Sequence, residues 1–134
     1  MDIRWLAGFF DADGTVGVYR SDKKRPEQMG IRVQVVGLHR GSIDAYKDAF
    51  GGSTYLDAPR GGRRAIWHWV GNGFVALKSL AAMEPHLVVK REQALRALEF
   101  PFDGPRGHRF LTASELALRE LIRTDLMRMK QEVA

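Results

Sequence analysis

The sequence predicts an α+β domain in which an antiparallel sheet carries helices on one face and leaves the other open. Three observations predict it. Two pairs of short segments alternate apolar and polar residues, each pair broken by a polar loop. Segments of helical period precede, separate and follow those pairs. The length of 134 residues suits one compact domain, with a core over about residues 2–99 and a helical extension over about 112–132.

Ile3, Leu6, Ala7 and Phe10 recur at helical spacing, so a short helix runs from Asp2, its N-cap, to about Asp11, with Trp5 and Phe9 widening the apolar face. Thr15 to Arg20 and Ile31 to Val36 alternate as strands of a first hairpin. In that hairpin Val16, Val18, Ile31, Val33 and Val35 face a core, leaving Thr15, Tyr19, Ser21, Arg32 and Gln34 on the other side. Ser42 caps a helix carrying Ile43, Tyr46, Ala49 and Phe50, which Gly51-Gly52 ends. Tyr55-Leu56 and Ala65 to Val70 form a second hairpin, in which Trp67 and Trp69 alternate with Ile66, His68 and Val70; either set fits the core. Helices follow from Phe74 to about Glu84, with Pro85 as the stop, and from Lys90 to Glu99. A last helix spans Ser114 to Glu132, capped by Thr112 or Ser114. Its leucines suit bracing of a dimer; extending a grip on a ligand or closing the core are the alternatives.

A formal charge of +5 favours an acidic partner. Residues 20–28 and 59–64 put Arg and Lys in hairpin loops, where they suit phosphate, and the open face offers Tyr19, Arg32 and Gln34 to base edges. The absence of cysteine excludes disulfides and thiolate metal sites, and His86 and His108 lack the spacing of a zinc site. The Met1-Asp2-Ile3-Arg4 start lacks the basic region of a secretory signal, and no apolar run is long enough to span a bilayer. An intracellular location, in cytoplasm or organelle, is therefore expected.

Residues 6–14, Leu-Ala-Gly-Phe-Phe-Asp-Ala-Asp-Gly, resemble the LAGLIDADG signature of homing endonucleases at seven of nine positions, with Phe9 and Phe10 as apolar replacements. Locally, Ala7 and Gly8 allow close approach of a second helix, and Gly14 is expected to end the helix in the left-handed region. Two clustered acids at a helix C-terminus oppose the helix dipole, which suggests a compensating cation. The element order matches that family's αββαββα arrangement over Asp2 to Glu99.

The resemblance implies a site-specific, metal-dependent double-strand DNA endonuclease. Asp13 and the Ala12 carbonyl would hold Mg²⁺ or Mn²⁺, and Lys90, in residues 85–94, would take the active-site lysine role. One copy of the motif implies a homodimer on a palindromic or near-palindromic site, with Leu6, Ala7, Phe10 and Asp11 at the interface. The DNA-facing set is Tyr19, Ser21, Lys23, Arg32, Gln34, Arg60, Arg63 and Arg64. The glutamine that the family commonly carries after the second strand is missing from residues 36–40, with Gln34, His39 and Arg40 as candidate substitutes. The alternative function is a non-cutting nucleic-acid-binding module, an RNA maturase or DNA-binding regulator on the same fold.

Overall fold

The structure, a computed structural model, describes residues 2–20, 28–59, 61–62, 64–104 and 110–133. Ser21, Lys23, Arg60 and Arg63 lie outside the described residues. The chain folds as α1 (Ile3–Asp13), β1 (Gly14–Arg20), β2 (Met29–Gly37), α2 (Arg40–Phe50), β3 (Ser53–Asp57), β4 (Ile66–Asn72), α3 (Phe74–Met83), α4 (Arg91–Ala97) and α5 (Ala113–Val133). The strands form one antiparallel sheet in the order β1-β2-β4-β3. Among the described residues no helix is long and apolar enough to cross a membrane.

Asp2 caps α1, its carboxylate accepting the Arg4 N–H at 2.8 Å. The helix then runs two residues past its expected end. Gly14 does not end it in the left-handed region: its φ is −81° and it begins β1, paired with Val35. The glycine is required for a different reason, because a Cβ there would stand 2.3 Å from the Phe10 ring.

In the first hairpin Val16 pairs with Val33 and Val18 with Ile31 on the helix side, leaving Thr15 opposite Gln34 and Gly17 opposite Arg32 on the open side. The two tryptophans turn inward. Trp69 is fully buried, stacks on Tyr46 at 5.1 Å and donates to the Gly51 carbonyl at 2.8 Å; Trp67 is half-buried beneath Arg40. His68 therefore lies on the open face.

One helix cap differs from expectation, and the other is the expected Thr112. His39, not Ser42, caps α2, its Nδ1 accepting the Ser42 N–H at 3.1 Å. Thr112 and Glu115 form a reciprocal capping box before α5, each accepting the other's backbone N–H at 3.1 Å. α5 closes the core: Ile122 and Leu126 are buried among the sheet and helices. Its Arg119 is buried too, donating to the carbonyls of Pro101 at 2.9 Å and Met29 at 3.2 Å. Leu121, by contrast, is half exposed.

Candidate active site and nucleic-acid face

Leu6, Ala7 and Phe10 are at most 1% exposed, consumed by the chain's own core, so they have nothing to present to a second copy. The interface expected at these residues is corrected: the outward stripe of α1 is Arg4, Trp5, Gly8 and Ala12, and a Cβ at Gly8 would meet nothing within 4 Å. The period of the apolar residues located the buried face, which packs within the chain.

Asp11 is also engaged within the chain. Its carboxylate accepts the backbone N–H groups of Val88 at 3.1 Å, Val89 at 3.0 Å and Lys90 at 2.8 Å, the turn leading into α4. Lys90 Nζ in return donates to the Asp11 carbonyl at 2.6 Å, one of the last acceptors of α1. Partial burial opposes ionisation of Asp11, but the three N–H groups and the Lys90 charge outweigh it and hold its pKa below the ordinary carboxylate value. Sequence reasoning missed this role, since the partners lie far along the chain.

Asp13, at the end of α1, is exposed, as is Ala12, and no hydrogen bond or ion pair engages the Asp13 carboxylate among the described residues. Its negative charge reaches Tyr46 beneath. Burial first, and that charge second, push the Tyr46 phenol well above the usual range, while its hydroxyl donates to the Leu6 carbonyl at 2.7 Å. Lys90 and Asp13 therefore share one end of α1, next to the start of β1.

The open face presents two polar clusters. The Arg32 guanidinium lies 4.3 Å over the Tyr19 ring and donates to Asn72 at 2.8 Å. Gln34 Nε2 is 2.9 Å from His68 Nδ1, and His68 stacks on Tyr55 with 4.4 Å between centroids and 7° between planes. Arg64 is exposed in the loop before β4. Lys130, on α5, reaches the face from the β1 edge: its Nζ is 3.2 Å from where a Gly17 Cβ would stand, and burial lowers its pKa.

The three candidate substitutes for the missing glutamine have other partners. Gln34 is with His68, His39 caps α2, and Arg40 pairs with Asp44 at 3.3 Å while covering Trp67.

No family model matches the chain. An intron-encoded RNA maturase, bI4 of Saccharomyces cerevisiae, is 42% identical over 62 residues, which are 46% of this chain and 9% of that protein. The chain thus corresponds to less than a tenth of that relative. Among solved structures, the homing endonuclease I-CvuI in complex with a DNA target superposes with a TM-score of 0.71 at 20% identity, over 95% of this chain and 80% of that one. An archaeal intron-encoded homing endonuclease, I-Vdi141I, complexed with DNA, gives 0.72 at 17% identity, over 95% and 82%. The homing endonuclease I-TnaI gives 0.62 at 20% identity, over 100% and 99%. With its first helix ending on Asp-Ala-Asp-Gly, the chain has the fold of the LAGLIDADG homing endonucleases.

Proposed function

We propose that the chain is a divalent-metal-dependent endonuclease that cuts double-stranded DNA as a homodimer. The observation that carries this reading is the exposed Asp13 carboxylate, unengaged among the described residues, at the same end of α1 as Lys90 and at the margin of an open sheet face bearing Arg, Gln and Tyr. The donor chemistry fits a hard cation, since Asp13 and the Ala12 carbonyl offer only oxygen. Among the described residues no cluster of three ligating side chains occurs; in this reading Asp13 supplies one carboxylate and a second copy another. When bound, Mg²⁺ or Mn²⁺ supplies an activated water and charge that stabilises the departing oxygen.

The protein's own groups do the remaining work. Asp11 holds the turn that carries Lys90, and the Lys90 ammonium, freed to turn from the Asp11 carbonyl, can neutralise charge growing on a phosphate. The outward stripe of α1, with Gly8 at its centre, is the surface suited to a symmetry-related helix. Tyr19, Arg32 and Gln34 meet base edges in the groove, and Arg64 belongs to the same proposed contact set, as do Ser21, Lys23, Arg60 and Arg63 outside the described residues.

The test is cleavage of a randomised duplex library with Mg²⁺ by wild type and Asp13→Asn, with binding scored in Ca²⁺. Cutting of a near-palindrome by wild type alone, with binding kept by the variant, supports the reading. The likeness to the maturase bI4 favours a second one, an RNA-binding splicing cofactor. Tight binding of structured RNA, with no duplex cut by either protein, would establish that alternative.

A further inference from the structure

His68 has one ring nitrogen, Nε2, that is buried and without a hydrogen-bond partner, although the residue sits on the open face. Its other nitrogen, Nδ1, is 2.9 Å from Gln34 Nε2. The Gln34 amide is oriented with its NH₂ toward Nδ1; in that orientation Nδ1 accepts and the imidazole proton resides on Nε2. The nearest acid to that proton is Asp57, whose Oδ2 is 3.7 Å from Nε2, across the β3–β4 pairing. Stacking on Tyr55 keeps the ring in plane. Gln34 is thus gripped by one end of its amide, leaving its oxygen and its second N–H unassigned.

We propose that His68 is a positioning residue for sequence reading: it holds Gln34 in one of its two amide orientations, so that Gln34 presents an acceptor and a donor side by side and selects adenine. Adenine offers N6–H and N7 in the major groove, the complement of that pair, and a glutamine free to flip would present the reverse pattern equally well. This rests on the DNA-binding reading above. His68 itself touches no base in this scheme; it acts through Gln34.

Two measurements on the full chain test it. In the free protein, a long-range proton–nitrogen correlation spectrum of the imidazoles should show His68 protonated on Nε2, and a proton on Nδ1 would overturn the proposal. In selection from randomised duplexes with Ca²⁺, wild type should prefer adenine by roughly tenfold at one base pair of each half-site. His68→Phe keeps the stack and removes the acceptor, so that preference should fall to about twofold while other positions hold. A His68→Phe protein that selects the same base as wild type overturns this inference alone. A wild type that selects no sequence overturns the DNA-binding reading and this inference with it.

Discussion

Asp11 and Lys90 grip each other twice: the Asp11 carboxylate accepts the Lys90 backbone N–H at 2.8 Å, and Lys90 Nζ donates to the Asp11 carbonyl at 2.6 Å. One contact sets the backbone of the turn and the other sets the ammonium. The two should separate on mutation. Asp11→Ala should destabilise the fold by about 1–2 kcal/mol, as charge-assisted bonds to a partly exposed turn are lost. Lys90→Met should cost about 1 kcal/mol in urea unfolding, as the bond to the Asp11 carbonyl is lost, while lowering the cleavage rate by roughly 10²-fold, the scale of one lost charge stabiliser.

Acid should weaken the same junction. The folded Asp11 pKa lies below its ordinary value of 3.8, so its contribution to stability is fully present above that value and is lost as pH falls through the folded one. In urea titrations from about pH 5 to about pH 2.5, the advantage of wild type over Asp11→Asn should therefore shrink. An advantage that stays constant over this range would show that the charge of Asp11 contributes nothing.

Two glycines of the signature should respond oppositely. Gly14→Ala forces a methyl against the Phe10 ring, at 2.3 Å in the unrelaxed geometry, and should cost about 1–3 kcal/mol in thermal or urea unfolding. Gly8→Leu meets nothing within the chain, so monomer stability should hold or rise by about 0.5–1 kcal/mol. If α1 pairs with a second copy, the same leucine should weaken self-association at least tenfold by sedimentation equilibrium.

Thr112→Ala removes half of the capping box at the start of α5 and should cost about 1 kcal/mol. Because Ile122 and Leu126 are buried in the core, truncation after residue 110 should abolish folding, detectable as loss of the cooperative unfolding transition.

The hairpins and their faces were legible because a strand has period two and one side of this sheet is fully buried, so Val16, Val33 and Val35 could point only one way. The tryptophans were not, because Ile66 and Val70 are as apolar as Trp67 and Trp69, and packing against Tyr46 and Gly51 decides the matter. The Asp13 end of α1 was readable as a motif. What Leu6, Ala7 and Phe10 pack against was not, since a helix with apolar residues on two sides offers no local sign of which side meets its own sheet. His39 displaced Ser42 as a cap because an imidazole nitrogen accepts an N–H as well as a hydroxyl does.

The anchor of Asp11 lies 77 residues downstream at Val88. During synthesis the signature helix leaves the ribosome early, yet the turn that anchors its Asp11 end follows only after both hairpins and α3. Contacts of such sequence separation form late, once the intervening chain has already been ordered. A nascent or truncated chain lacking the 88–90 turn therefore carries the motif without the assembled site, and any cutting activity is withheld until the domain has folded.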